Sequence, residues 1–165
     1  MPEKETIERA RKHAREGKSP STQAGEFIRE EIKHVREGKH GARNTRQAIA
    51  IGLSKARRAG VALPPREGTP ADTQAQAARD YRRGQSGSRR KPSRRRSRAV
   101  SSALKREGRA AASSRALSRQ ARSSARRRGA AARSRAAQKA VRTKGKQGLR
   151  RAGAKAARTR QRRAA

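Results

Sequence analysis

Apolar residues recur at helical spacing between Gln23 and Glu37. Ala24, Ile28, Ile32 and Val35 follow one another at intervals of four, four and three residues, and Phe27 lies beside Ile28. This period predicts an amphipathic helix with a single apolar stripe. Gly38 provides the C-terminal stop, because glycine readily adopts the left-handed conformation that ends a helix.

A second helix is predicted after a short loop. Asn44 is a suitable N-cap residue, and Gln47 stands three residues later in the position of a capping box. This helix stops at Gly60, and its apolar face consists of Ile49, Leu53 and Ala56. Gly52 in its interior costs about 1 kcal/mol relative to Ala, so we expect two helices to approach closely there. Together the two helices predict a helix–loop–helix hairpin over residues 21–63.

The pattern is weaker on both sides of the hairpin. Residues 1–20 form an arm with a short predicted helix, Thr6–Glu16. Residues 64–83 begin with two prolines, which end regular structure, and a helix is predicted over Thr69–Arg83. Residues 84–165 hold only five large apolar side chains: Val100, Leu104, Leu117, Val141 and Leu149. Five such residues cannot offset the ordering entropy of 82, at roughly 1–2 kcal/mol per residue, so a disordered tail is predicted.

The composition of this tail adds helix-forming potential. It contains 29 Lys and Arg, 20 Ala and 12 Ser. Ala and Arg favour helix, whereas like charges three and four residues apart oppose it. Glycines at 108, 129, 145, 148 and 153 divide it into short segments, and Gly84–Arg98 is typical of a flexible basic linker. The predicted fold class is therefore mostly α and largely disordered, with a short N-terminal hairpin and a basic tail.

Charge separates the two halves of the chain further. The 165 residues include 48 Lys and Arg against 12 Asp and Glu, a net charge of +36. Residues 1–83 carry +8 of this and residues 84–165 carry +28. Aromatic residues make up 1% of the chain, so it cannot bury a large core. This composition excludes an ordinary enzyme fold over most of the length. The absence of Cys excludes a disulfide scaffold. The longest apolar run, residues 48–53, is far below the roughly 20 residues of a transmembrane helix.

Two patterns in the sequence resemble cofactor or metal motifs, but neither has the residue spacing that the motif requires. Gly17-Lys18-Ser19 resembles the end of a phosphate-binding loop, but Lys12 occupies the position of the required glycine. His13, His34 and His40 lack Cys partners and a suitable spacing for zinc, and we expect them to be solvated. We therefore predict no enzyme activity, no catalytic residues, no metal and no cofactor.

The positive charge of the chain is the remaining feature from which a function can be inferred. A flexible polycation binds nucleic acid by releasing condensed counterions, and the contacts neutralise phosphates without reading sequence. The near absence of aromatic rings argues against single-strand recognition by base stacking. The sequence thus predicts a histone-like, nucleoid-associated protein of the cytoplasm that binds double-stranded DNA non-specifically. Structured RNA or the ribosome is the alternative partner. A protein-interaction hairpin on a polycationic tether, with self-association through the hairpin, is a further alternative.

The phosphate contacts are assigned to basic residues of the hairpin and the tail. In the hairpin they are Lys39, Arg43, Arg46, Lys55, Arg57 and Arg58; in the tail they are Arg89, Arg90, Lys91, Arg94, Arg95, Arg96, Arg98, Arg126, Arg127, Arg128, Arg150, Arg151, Arg162 and Arg163.

The hairpin also carries a family resemblance. The blocks Gln23–Glu31, Arg36–Arg43 and Gln47–Val61, followed by a proline pair, resemble those of a bacterial family of small, basic, uncharacterised proteins. Proteins of this family are loosely described as DNA-binding, so the resemblance implies DNA binding. Residues 84–165 are similar in composition to linker-histone tails and bacterial histone-like tails. They depart from these tails in being rich in Arg rather than Lys and in having few prolines.

Overall fold

The computed structural model describes residues 2–64, 69–86 and 93–164. Over these ranges the protein is helical, with seven α-helices and one 3-10 turn. The helices are α1 (Lys4–Arg15), α2 (Pro20–Arg36), α3 (Thr45–Arg58), α4 (Ala71–Gln85), α5 (Arg94–Lys105), α6 (Ser114–Arg127) and α7 (Gly129–Ala164), and the 3-10 turn is Ala110–Ala112. The prediction of a mostly α protein is confirmed, and the prediction that it is largely disordered is wrong.

The predicted hairpin is present as α2 and α3. Gly38 follows α2 with a φ of 76°, as a helix stop requires. Asn44 caps α3, since its side-chain oxygen accepts from the backbone N–H of Gln47 at 2.9 Å. The close approach predicted at Gly52 is also confirmed, because a Cβ added there would lie 2.8 Å from the Cα of Ile28.

Two apolar clusters stabilise the compact unit formed by residues 1–120. One consists of Ile32, Val35, Ala42, Ala48, Ala111 and Ala112, with Ile28 and Leu117 packed against it. The other consists of Ala10, Ala24, Phe27, Ala56 and Val61, with Ile7, Leu53 and Leu63 packed against it. Helix α1 and the 3-10 turn therefore cover the apolar faces that sequence reasoning had left open for self-association.

The 3-10 turn and its flanks dock on the loop between α2 and α3. The backbone N–H groups of Gly41 and Ala42 donate to the carbonyls of Leu104 and Gly108, at 2.9 and 3.1 Å. Arg36 Nε donates to the carbonyl of Ala112 at 2.9 Å. This part of the predicted tail is thus ordered by small apolar side chains and by hydrogen bonds to its backbone. A count of large apolar residues overlooks both contributions.

The chain divides into two compact units, Met1–Gln120 and Ala121–Ala165. The first unit extends well beyond the predicted hairpin of residues 21–63. The second unit contains the end of α6 and all of α7, and its helices follow from the high helix propensity of Ala and Arg. Gly129 and Gly145 interrupt the helices there with φ values of 74° and 64°. Gly148 and Gly153, also predicted as stops, lie inside α7.

The predicted flexible linker Gly84–Arg98 is helical where the structure describes it, apart from two residues. Its first two residues end α4, and Arg94 begins α5, while residues 87–92 lie outside the described residues. Across the described ranges, no helix is both long and apolar enough to cross a membrane.

Candidate nucleic-acid interface

Carboxylates and cations are distributed very differently along the chain. Within the described ranges, ion pairs use only carboxylates from Glu3 to Asp80. Beyond Glu107 the sequence contains no acidic residue. The cations of α6 and α7 therefore have no carboxylate of their own helices to neutralise them.

Lys55 differs from the other predicted phosphate-binding residues because it points into the first unit. Its Nζ lies 2.6 Å from Oε2 of Glu31 and 3.3 Å from Oε1 of Glu30. Both glutamate side chains are only 1% exposed. Moving the ammonium to a phosphate would leave two buried carboxylates unpaired, which is strongly destabilising. The geometry therefore gives Lys55 a structural role.

Lys39, Arg57 and Arg58, which were also predicted to bind phosphate, have partners within the protein. Lys39 Nζ lies 3.2 Å from Glu3 and 3.3 Å from Glu37, and hydrogen bonds to these two carboxylates raise the pKa of Lys39. Arg57 Nε donates to the carbonyl of Leu63 at 3.0 Å. Arg58 Nε lies 3.8 Å from Asp80 and 3.3 Å from the carbonyl of Ser54. These contacts orient the cations without burying Lys39 or Arg58.

The exposed cations of the hairpin lie beside the docked segment. Arg43 and Arg46 flank the N-terminus of α3 and are both exposed. Arg109, which sequence reasoning did not assign, is exposed as well. Its guanidinium lies against the loop, 3.5 Å from where a Cβ on Gly38 would stand. The fold thus brings a cation of the second half of the sequence next to the loop.

The remaining predicted residues that the structure describes lie on helices α5 to α7 or between them. Exposed side chains belong to Arg94, Arg95, Arg96, Arg98, Arg126, Arg127, Arg128, Arg150, Arg151 and Arg162. Arg163 is the penultimate residue of α7, while Arg89, Arg90 and Lys91 lie outside the described residues.

Helix α7 carries its cations at helical intervals. It contains 13 Lys and Arg in 36 residues. After the kink at Gly145, Arg151, Lys155, Arg158 and Arg162 follow at spacings of four, three and four, and all four are exposed. Residues three and four apart are neighbours on a helix surface, and like charges there destabilise it. A polyanion along this stripe would relieve the repulsion.

The expectation that all three histidines are solvated is wrong. His34 is buried, at 8% relative exposure, and its ring meets that of His40 edge to face, with centroids 6.1 Å apart. Glu31 joins them, and one donor atom from each of the three residues lies within 4.8 Å of the others. Sequence reasoning missed this cluster because the reversal at Gly38 brings His40 back towards α2.

Comparison with known protein families gives a match over the hairpin. Residues 17–67 match the model of a family of unknown function, DUF6496. This match covers α2, α3 and the loop between them. Neither the curated proteins nor the solved structures contain a match to the chain.

Proposed function

We propose that this protein binds double-stranded DNA without sequence specificity and acts as a histone-like architectural protein of the nucleoid. The observation that carries the proposal is the row of exposed cations on α7, which has no carboxylate among its own residues. Such a row neutralises phosphates along a duplex and releases the counterions condensed on them.

The position of the aromatic rings supports a duplex over a single strand. Phe27 is 1% exposed and lies in an apolar cluster, and Tyr81 is half-buried on α4. Proteins that hold single strands usually stack the bases on exposed rings. The chain has no Trp and no other Phe or Tyr, so phosphate contacts are its main means of holding nucleic acid.

The salt dependence of binding tests the role of α7. A full-length variant with Gln at Arg151, Lys155, Arg158 and Arg162 keeps residues of good helix propensity but removes four charges. We expect weaker binding to a DNA duplex and a shallower slope of log K against log salt. The slope should fall by up to about 3.6, at about 0.9 for each phosphate that is no longer neutralised.

The matched control replaces the three arginines of this stripe by Lys, which conserves the charge. Its slope should equal that of the unaltered protein, because neutralisation depends on charge rather than on guanidinium geometry. Fluorescence anisotropy with a labelled duplex measures all three slopes. Equal slopes for the Gln variant and the unaltered protein would rule out this stripe of α7 as the binding surface.

Structured RNA presents the same phosphates, so it is distinguished by a separate measurement. Nucleic acid crosslinked to the protein in its native cell and sequenced should consist of DNA fragments spread over the chromosome. Recovery of ribosomal RNA instead would favour the alternative partner.

A further inference from the structure

Two imidazoles and one carboxylate meet in the first unit at the start of the loop after α2. Glu31 and His34 lie one turn apart on α2, and His40 follows the reversal at Gly38. Their donor atoms lie within 4.8 Å of one another, and His40 Nε2 is 3.2 Å from Oε1 of Glu31. We infer that these three residues bind a divalent transition-metal ion, with Zn²⁺ as the natural occupant.

The chemistry of the donors fits this class of ion. Zinc accepts imidazole nitrogen and carboxylate oxygen, with metal–ligand distances of about 2.0–2.2 Å. Two donors at that radius stand roughly 3.4 Å apart in a tetrahedron, close to the 3.2 Å between His40 Nε2 and Glu31 Oε1. Two His and one Glu are also a known set of three protein ligands for zinc, which leaves one coordination position open.

Each histidine also has a second contact of the kind that orients a metal ligand. His34 Nε2 lies 2.8 Å from Oε1 of Glu3, and His40 Nδ1 lies 3.0 Å from the carbonyl oxygen of Gly41. Metal-bound histidines characteristically donate their other ring N–H to a carboxylate or a backbone carbonyl. One nitrogen of each ring is thus held, and the other is left for coordination.

The contacts of His40 are compatible with a metal ion in the cluster. A carbonyl oxygen only accepts, so Nδ1 of His40 carries its proton towards Gly41. In the neutral ring the lone pair of Nε2 then faces a carboxylate oxygen that also only accepts. Two acceptors at 3.2 Å repel each other unless a proton on Nε2 or a metal ion lies between them.

The burial of Glu31 also bears on the site. Its side chain is 1% exposed, with Oε2 2.6 Å from Lys55 Nζ and Oε1 3.2 Å from His40 Nε2. Around the cluster, Glu3, Glu30, Glu31 and Glu37 contribute four negative charges, while Lys39 and Lys55 contribute two positive ones. A bound cation would compensate part of this excess of negative charge.

Metal binding by the full chain in the absence of nucleic acid tests the assignment. After treatment with a chelator, titration with Zn²⁺ should show one bound equivalent by calorimetry. Zinc-edge X-ray absorption of the loaded protein should count two imidazoles. No binding by the unaltered protein, or a zinc environment without imidazole, would overturn the proposal.

Three variants separate this site from incidental binding. His40→Ala should abolish the bound equivalent, and Glu3→Gln, which alters the contact to His34, should weaken binding about 10–100-fold. His13→Ala is the matched control, since His13 lies beside Glu16 and Glu26, apart from the cluster, and it should bind as the unaltered protein does.

A folding check keeps the variants informative. Each variant should retain the helical circular dichroism of the unaltered protein. Zn²⁺ should raise the melting temperature of the unaltered protein and of His13→Ala equally, that of Glu3→Gln less, and that of His40→Ala not at all. If His40→Ala unfolds, Glu3→Gln decides the question, because an unchanged affinity in that variant contradicts the assignment. None of these measurements depends on DNA binding, so the two proposals fail separately.

Discussion

Two glycines of the hairpin have opposite surroundings. Gly25 lies in α2 with nothing within 4 Å of an added Cβ, whereas an added Cβ on Gly52 of α3 would lie 2.8 Å from the Cα of Ile28. We expect Gly25→Ala to stabilise the protein by about 1 kcal/mol, through higher helix propensity. Gly52→Ala should destabilise it by about 1–3 kcal/mol, because α2 and α3 must move apart.

Urea unfolding of the two full-length variants checks this pair. Both changes add one methyl group in a helix interior, so each serves as the control for the other. Greater stability of Gly52→Ala than of the unaltered protein would show that the helices do not meet at this residue.

Glu26 is a buried carboxylate in contact with two arginines and a histidine. Arg9 Nε, Arg29 Nη1 and His13 Nε2 lie 2.9, 3.1 and 3.3 Å from its oxygens. Burial raises the pKa of Glu26, but hydrogen bonds from Arg9 and His13 and the charge of Arg29 outweigh it, and the pKa lies below its usual value of 4.5. A carboxyl group whose pKa is lowered by folding stabilises the folded state above its unfolded pKa.

We therefore expect acid to remove this stabilisation. It is complete at neutral pH, declines as the pH falls below 4.5, and is lost below the folded pKa. Glu26→Gln should melt at a lower temperature than the unaltered protein at neutral pH, and the difference should shrink on acidification. Glu5→Gln controls for the loss of one charge, because the Glu5 side chain is 81% exposed. A difference that stayed constant with pH would contradict the role of Glu26.

At the scale of elements, one buried hydrogen bond joins α3 to the 3-10 turn. Thr45 Oγ1 donates to the carbonyl of Ala111 at 2.7 Å. Thr45→Val keeps the shape but leaves a buried carbonyl without its donor, and we expect a loss of about 1–3 kcal/mol. Thr22→Val is the matched control on the exposed start of α2 and should stay within about 0.5 kcal/mol.

Hydrogen exchange locates the effect of Thr45→Val. The amides of Gly41 and Ala42 donate to the carbonyls of Leu104 and Gly108, so they report whether the segment is docked. We expect Thr45→Val to speed exchange at these two loop amides while the amides of α2 keep their protection. Unchanged protection would show that the segment docks without this bond.

The elements that the sequence predicted well are those with strong local signals. The apolar stripe from Ala24 to Val35 gave α2, and Asn44 with Gln47 gave the start of α3. The ordered segment around Ala111 and Ala112 could not be predicted in this way. Its contribution comes from alanines that become buried only once the loop between α2 and α3 is present.

The candidate sites show the same limit. The arginine content of α7 can be read directly from the sequence. The partners of Lys55, in contrast, depend on how α3 lies against α2. The meeting of His34 with His40 depends on the reversal at Gly38. Side chains brought together by tertiary packing leave no fixed spacing in the sequence.

At the scale of the whole molecule, two truncations distinguish the folded unit from the predicted hairpin. A chain that ends at Gln120 keeps both apolar clusters and should melt cooperatively at close to the temperature of the full chain. A chain that ends at Arg83 lacks Ala111, Ala112 and Leu117 of the first cluster and should be strongly destabilised. Equal melting temperatures for the two truncations would show that the docked segment does not stabilise the fold.

The truncation at Gln120 also divides the charge. Residues 121–165 hold 17 Lys and Arg and no acid, out of a net charge of +36 for the chain. We expect weaker DNA binding and a shallower salt slope for this truncation, without loss of the fold. Unchanged affinity would place the nucleic-acid interface within the first unit.

The docking of residues 104–117 has a consequence for how this protein is made. Ala48 and Val35 leave the ribosome long before Ala112 and Leu117, the residues that cover them. At translation rates of about 5–20 residues per second, the roughly 69 residues from Ala48 to Leu117 take roughly 3–14 s. During that interval the nascent chain presents an apolar surface beside the ribosome, where chaperones have access to it.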